Sequence, residues 1–281
     1  MNNTELNRTH FARYTYGFAL LIIIYRFFSF ALVHQLQTPV LFENSLDYTY
    51  WLFHYLKIPQ LLLYNKTTSI LFDTWLFLST LYCFIYAARY KLIVLLNAIS
   101  WSCYAIFYNS FSCHHNYTII GVMILPYAFM VKNEIKFNLV WGFYRDLNLY
   151  ILADAFIFKA FINKNIFYTR IGSEIIKPNQ SIYLLQTPGT WLTKIYSFFI
   201  QHPHLAYTGF ILMVFMQMLC LIGFFTKKYD KYLFYIVIIF HVINYFFVDV
   251  MFLELLILNV TLLHKKNTAI EKYFRYNKNR V

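Results

Sequence analysis

The stretch Leu149-Tyr-Ile-Leu-Ala-Asp-Ala-Phe-Ile-Phe-Lys-Ala-Phe-Ile162 is apolar enough for a membrane helix, yet it carries Asp154 and Lys159. A charged side chain at the centre of a bilayer costs about 2.5–3.5 kcal/mol on insertion scales. The two charged residues are five positions apart, so they do not face each other on a straight helix. We therefore expect each charge to meet a partner on another helix.

The rest of the sequence has the composition of a helical membrane protein. Its 281 residues are 60% hydrophobic and 22% aromatic, and only 13% are charged. The mean hydropathy is +0.50. A soluble protein of this length could not keep so much apolar surface away from water. We predict an all-α, polytopic membrane protein that forms a single domain over residues 1–281.

Eight apolar runs define the predicted transmembrane helices. They cover residues 16–33, 71–88, 92–108, 117–131, 149–162, 205–225, 232–248 and 250–263. The last two are one apolar run that we divide at Asp249, because a single helix would be about 48 Å long and the hydrocarbon core is about 30 Å thick. Two aromatic-rich segments, 46–63 and 190–201, are predicted to be helices that lie in the membrane interface.

The net charge of +12 is carried by bases that lie between the apolar runs. With the amino terminus inside, the predicted inside segments hold more than twice as many Lys and Arg residues as the outside segments. This bias is typical of cytoplasmic loops that face anionic lipid. We expect a multi-pass protein of the cell inner membrane with both termini cytoplasmic. Membrane lipids are the expected partners, and nucleic acid is not, because no folded basic domain is predicted.

Polar residues inside the predicted spans gather in the middle and outer half of the membrane, which predicts a polar cavity open to the outside. In chain order, these residues and the connector histidines beside them are Arg26, His114, His115, Asp154, Lys159, His241 and Asn244. No metal site is predicted, because adjacent histidine side chains diverge and no further ligand lies at a suitable spacing.

Two interpretations of these residues remain open. Lys159 either extends its amine to the outer interface, or is buried and desolvated, which would make it a usable base near neutral pH. Arg26 needs a partner such as Asp154, Glu254 or backbone carbonyls. His241 and Asn244 lie three residues apart on one helix face, and either join helices by hydrogen bonds or help to organise the cavity.

The order of four segments resembles the membrane domain of the vitamin K-dependent gamma-carboxylase and its bacterial relatives, the HTTM (horizontally transferred transmembrane domain) proteins. The segments are Ile24-Tyr-Arg-Phe-Phe28, His114-His115-Asn-Tyr-Thr-Ile-Ile-Gly121, Ala153-Asp-Ala-Phe-Ile-Phe-Lys-Ala-Phe161 and Phe240-His-Val-Ile-Asn-Tyr-Phe-Phe247. Each segment is short, and together they extend over nearly the whole chain.

By this resemblance, Lys159 matches the family lysine that acts as a base on reduced vitamin K, and His114 or His115 matches the histidine that assists it. Phe158 departs from the family pattern, which has a small residue before the lysine. The large extramembrane domain that binds protein substrate is not matched, so carboxylation of a protein is not expected.

The resemblance therefore implies a membrane enzyme that acts on a quinol or another lipid-soluble molecule. In this hypothesis Lys159, His114 and His115 are the candidate catalytic residues. Arg26, Asp154, His241 and Asn244 are the candidate cofactor-binding residues. The alternative hypothesis is a non-catalytic membrane protein that binds a lipid or a partner protein through the same polar groups.

Overall fold

The computed structural model describes residues 3–36, 55–62, 65–111, 120–186, 189–248 and 252–263. These residues are almost entirely helical and contain no β-strand, which confirms the all-α prediction for the part of the chain described. The chain forms two compact units. The first comprises Met1–Tyr144 with Leu253–Val260, and the second comprises Arg145–Phe252 with Thr261–Val281.

Eleven α-helices follow one another along the described residues. They are α1 (Asn3–Phe28), α2 (Ile58–Leu62), α3 (Lys66–Ile85), α4 (Lys91–Phe111), α5 (Ile120–Ala128), α6 (Glu134–Ile157), α7 (Ile171–Gln186), α8 (Trp191–Gln201), α9 (Pro203–Phe225), α10 (Asp230–Val248) and α11 (Leu253–Leu256). Short 3₁₀ turns cover Val33–Gln35, Asn165–Phe167 and Ile257–Leu263, and a π-helical turn covers Phe158–Ile162.

Local chemistry explains several helix boundaries. The helix α3 begins after Asn65, whose side-chain oxygen accepts a hydrogen bond from the Thr67 backbone N–H at 3.0 Å. The same helix ends where Ala87 and Ala88 adopt the left-handed conformation, with φ of 47° and 56°. Pro203 occupies the first turn of α9, where its fixed φ favours the helix and its missing N–H is not needed.

Four helices in the described part of the chain are long and apolar enough to cross a membrane. They are Arg8–Gln35 (α1 with the 3₁₀ turn after it), Lys66–Ile85 (α3), Pro203–Phe225 (α9) and Asp230–Phe247 (α10). Each overlaps one of the predicted spans. The segment Lys91–Phe107 of α4 is also apolar, and it is shorter than these four. The chain thus has the character of a helical membrane protein, and its described residues hold four candidate spans and not the predicted eight.

The remaining predicted spans fail for identifiable reasons. Of the predicted span 117–131, the structure describes residues 120–131, in which helix α5 ends at Ala128, two residues after Pro126. The predicted span 149–162 comprises the last nine residues of α6 and the π-helical turn, and α6 begins at Glu134 and includes Arg145 and Asp146. Of the predicted span 250–263, residues 252–263 are described, and they contain the short α11 and a 3₁₀ segment. A proline, charged residues and short helices therefore occur where three uniform apolar helices were predicted.

The predicted interfacial segment 190–201 forms α8 (Trp191–Gln201). This helix is amphipathic, since Thr193 and Tyr196 are buried while Trp191 and Phe198 are exposed. Most of the other predicted interfacial segment, 46–63, lies outside the described residues, and α2 is the helical part that the structure describes.

Aromatic side chains form the core of the first unit around Trp141. The Trp141 ring centroid lies 4.9 Å from that of Phe11, 5.5 Å from Phe137 and 5.8 Å from Phe129. Phe11 belongs to α1, whereas Phe137 and Trp141 belong to the first part of α6. These ring contacts join the beginnings of the two helices.

A buried ion pair organises the second unit. Arg145 donates to both carboxylate oxygens of Asp230, from Nε at 2.8 Å and from Nη2 at 2.6 Å. The same Nη2 donates to the Gly223 carbonyl at 2.8 Å. Arg145 and Asp230 are only 3% and 4% exposed. This bidentate contact fixes α6 to the end of α9 and the start of α10.

Glycine permits two close helix approaches in the second unit. A Cβ added at Gly223 would lie 2.5 Å from Leu149 Cδ1, and one added at Gly172 would lie 2.3 Å from the Ala206 backbone oxygen. The first approach brings α9 to α6, and the second brings the start of α7 to the backbone of α9. A larger residue at Gly172 would press on backbone and separate the helices, whereas at Gly223 it would displace the Leu149 side chain.

Candidate functional site

Lys159 lies in the π-helical turn that ends the long helix α6. The turn covers Phe158–Ile162, and the Asn163 N–H donates to the Phe158 carbonyl five residues earlier, at 2.9 Å. A π-turn inserts one extra residue into a helix, and such turns occur frequently at functional sites. Two residues after the turn, Lys164 has a left-handed backbone with φ of 52°. Lys159 thus stands where the regular helix is interrupted.

The Lys159 amine is directed at α9. Its Nζ donates a hydrogen bond to Gln217 Oε1 at 3.0 Å, and the side chain is partly buried. Gln217 is neutral, and among the described residues no carboxylate forms an ion pair with Lys159. The amine therefore has a polar contact without a compensating charge.

Gln217 is the member of this pair that the sequence analysis missed. It is only 3% exposed and lies on the buried face of α9, between Val214 and Cys220. The sequence does show a glutamine inside an otherwise apolar span, and such a side chain must form a hydrogen bond with some neighbour. The sequence could not show that this neighbour is Lys159.

His241 is buried in α10 with one free ring nitrogen. The ring is 1% exposed, and Nδ1 lies 2.7 Å from the Val237 carbonyl, which can only accept, so Nδ1 carries the proton. Nε2 then presents a lone pair, and it has no hydrogen-bond partner within the described residues. Asn244, on the same face of α10, is also buried.

The other candidate residues lie in different surroundings. Asp154 is exposed, five residues before Lys159, and does not contact it. Arg26 belongs to the first unit, is buried at the end of α1, and its guanidinium lies 5.6 Å from the Tyr25 ring centroid. His114 and His115 lie outside the described residues.

The first unit has a buried carboxylate that the sequence analysis did not single out. Asp73 of α3 accepts hydrogen bonds from the backbone N–H groups of Val33 at 3.2 Å and His34 at 2.8 Å. It also accepts from His34 Nδ1 at 2.7 Å. The carboxylate therefore caps the 3₁₀ turn that follows α1, where unpaired N–H groups favour a negative charge.

A second polar network joins α3 to α4. Asn97 Nδ2 donates to Ser79 Oγ and to Thr80 Oγ1, both at 2.9 Å, and Trp101 Nε1 donates to Thr80 Oγ1 at 3.2 Å. These four residues are buried, so their hydrogen bonds hold the two helices together in the manner of interhelical polar contacts in membranes. Within the described residues, no group of three His, Cys, Asp or Glu residues is placed to hold a metal ion.

Comparisons with known proteins give no match. No protein-family model, curated protein or solved structure is similar enough to this chain to assign it to a family. The chemistry of the Lys159 site therefore follows from its own residues.

Proposed function

We propose that this chain is a membrane protein of the HTTM type, and that it binds a lipid-soluble molecule such as a quinol at Lys159. The observation that carries the proposal is the Lys159–Gln217 hydrogen bond in the π-helical turn. An amine that is paired with a neutral amide, and that forms no ion pair with a carboxylate of the described residues, is a group that can take up a proton.

The residues near the site match the needs of a quinol. A neutral Lys159 amine donates one N–H to Gln217 Oε1 and keeps its lone pair for the hydroxyl proton of the bound molecule. Proton transfer then gives an ammonium and a quinolate. By the family resemblance, His114 or His115 would assist. His241 Nε2 is a further buried acceptor in the same unit, on the helix that follows α9.

The proposal also locates the protein in the cell inner membrane with both termini in the cytoplasm. Four apolar helices support a membrane location. Four candidate spans leave both termini on the same side of the membrane, and the six Lys and Arg residues after residue 263 favour the cytoplasmic side.

A test is the quinone content of the protein purified in mild detergent. We expect Lys159→Ala to weaken quinone binding about tenfold, which corresponds to about 1.4 kcal/mol of binding free energy and lowers the molar ratio of bound quinone. Lys194→Ala is the matched control, because Lys194 is an exposed lysine on α8 of the same unit. We expect this control to keep the wild-type quinone content.

The second candidate function is a non-catalytic membrane protein that binds a lipid or a partner protein. It is favoured by the mutual hydrogen bonding of buried polar groups, of which the Asn97 network is the clearest case. In that case Lys159 and Gln217 serve packing alone. Unchanged quinone content together with a lower melting temperature in Lys159→Ala would support this function and refute the first.

A further inference from the structure

Three bases of the first unit meet at the carboxyl end of α5. Arg8 Nη2 donates to the Phe129 carbonyl at 2.6 Å, and Lys91 Nζ donates to the same oxygen. Lys132 follows three residues after Phe129, and its positive charge acts on the Lys91 ammonium, as does that of Arg8. Arg8, Lys91 and Lys132 are called the basic cluster below.

The partial negative charge at the helix end is too small to neutralise the basic cluster. The free carbonyls at a helix carboxyl end are equivalent to roughly half a negative charge. The cluster brings three positive charges, and Glu134 is the acid whose charge acts on Arg8. Positive charge is therefore in excess, and the bases repel one another unless an anion binds among them.

The cluster also has hydrogen-bond donors to spare. Arg8 has five N–H donors and Lys91 has three, and one carbonyl oxygen cannot occupy all of them. The guanidinium of Arg8 lies 5.0 Å from the centroid of the Phe137 ring, which holds it in place. Arg8 and Lys91 are partly buried while Lys132 is exposed, so the cluster extends from the helix ends to the surface.

Exposed apolar side chains lie near the cluster bases in the sequence, interspersed with exposed polar residues. Leu92, the residue after Lys91, is 67% exposed, and Tyr90, the residue before it, is also exposed. Ile135 and Leu139, near the start of α6, are likewise exposed. Hydrocarbon chains can lie against such side chains while a phosphate group reaches the bases. A soluble anion would gain nothing from these apolar neighbours.

We infer that the basic cluster, where the ends of α1, α4 and α5 meet, binds the phosphate of an anionic phospholipid. Arg8 and Lys91 contact the phosphate oxygens, and Lys132 adds charge from the aqueous side. The acyl chains lie along the apolar side chains of α4 and α6. This site is in the first unit, and the inference does not depend on the function of Lys159.

The test measures lipid binding by the purified full-length protein in neutral detergent. Phosphatidylglycerol, phosphatidylcholine and inorganic phosphate are titrated separately, and the shift in melting temperature gives each affinity. Single variants Arg8→Gln, Lys91→Gln and Lys132→Gln are compared with Lys194→Gln. Lys132→Gln is the critical variant, because Lys132 is exposed and its loss does not break the Phe129 contacts.

We expect phosphatidylglycerol to bind more tightly than phosphatidylcholine or inorganic phosphate. Each cluster variant should weaken phosphatidylglycerol binding about fivefold, the effect expected from one base near an anionic lipid surface. Lys194→Gln should leave it unchanged. Equal binding of both lipids would overturn the inference, and so would an unchanged affinity in Lys132→Gln. Binding of inorganic phosphate as tight as that of phosphatidylglycerol would also overturn it, because the site would then accept soluble anions.

Discussion

At the scale of single residues, Arg145 contacts two carboxylates that differ in burial. Asp230 and Asp146 both accept hydrogen bonds from its guanidinium, at 2.6–2.8 Å and 2.7 Å respectively. The Asp230 side chain is 6% exposed, and that of Asp146 is 54% exposed. The same arginine therefore makes one contact in the protein interior and one in solvent.

Removing the buried acid should cost far more than removing the exposed one. We expect Asp230→Asn to lower the free energy of unfolding by about 3–5 kcal/mol, because the buried Arg145 then keeps only its solvent-screened contact with Asp146. Asp146→Asn should change it by less than about 1 kcal/mol, since solvent screens an exposed pair. Unfolding of the two purified variants in mixed micelles measures the difference. Equal losses in the two variants would contradict the assigned roles.

The sequence identified Lys159 but not the residue that it contacts. An ionisable side chain in an apolar run is visible from composition alone. Gln217 is 58 residues away, and its contact with Lys159 depends on how α6 and α9 pack. Asp73 escaped notice for a related reason, because its partners are backbone N–H groups of a turn 39–40 residues earlier. Residue types reveal that a partner is needed, and only the packing reveals which one.

At the scale of elements, α6 is the helix that the sequence divided wrongly. The predicted span begins at Leu149, and the charged residues before it were placed between two spans. The structure has one helix from Glu134 to Ile157, because the Arg145–Asp230 pair allows a charged residue inside a packed helix. The predicted boundary at Leu149 was placed by charge. Charge does not mark the end of a helix where a distant acid forms an ion pair with the charged residue.

The close approach of α7 to α9 gives a prediction at the same scale. We expect Gly172→Ala to destabilise the protein, because its Cβ would lie 2.3 Å from the Ala206 backbone oxygen and backbone cannot give way easily. A cost of about 1–3 kcal/mol is typical of such overpacking.

Gly209→Ala in α9 is the matched control for Gly172→Ala. An added Cβ at Gly209 meets nothing within 4 Å, and alanine favours a helix over glycine by about 0.5–1 kcal/mol. The melting temperature should therefore fall in Gly172→Ala and hold or rise in Gly209→Ala. A rise in both variants would refute the close approach.

At the scale of the whole molecule, composition predicted the fold class but not the number of membrane helices. The high apolar content indicated a helical membrane protein, and the long runs at α1, α3, α9 and α10 were recognised. The number of spans predicted from the sequence was too high, because a short apolar run resembles a span. The run around Pro126 is an example, since its helix ends at Ala128. To cross a bilayer, a segment has to be both helical and apolar over about 20 residues.

Four such helices should hold the protein in the membrane without help from peripheral contacts. We expect it to remain in the membrane pellet after washing with alkaline carbonate, and to be released by detergent, because the apolar side chains would otherwise face water. Immunoblotting of pellet and supernatant measures this. Release by carbonate alone would show that the helices do not cross the bilayer.

The Arg145–Asp230 pair also constrains when the second unit can be completed during synthesis. The two residues are 85 positions apart, so Arg145 leaves the ribosome well before its buried acid exists. At about 5–20 residues per second, the interval is roughly 4–17 s. Until then its partner is the exposed Asp146, and an arginine without a buried counter-ion is costly in apolar surroundings. We therefore expect this part of α6 to stay in a polar environment until α10 begins. Translation that stalls between residues 145 and 230 would prolong that wait and expose the nascent segment to proteolytic quality control.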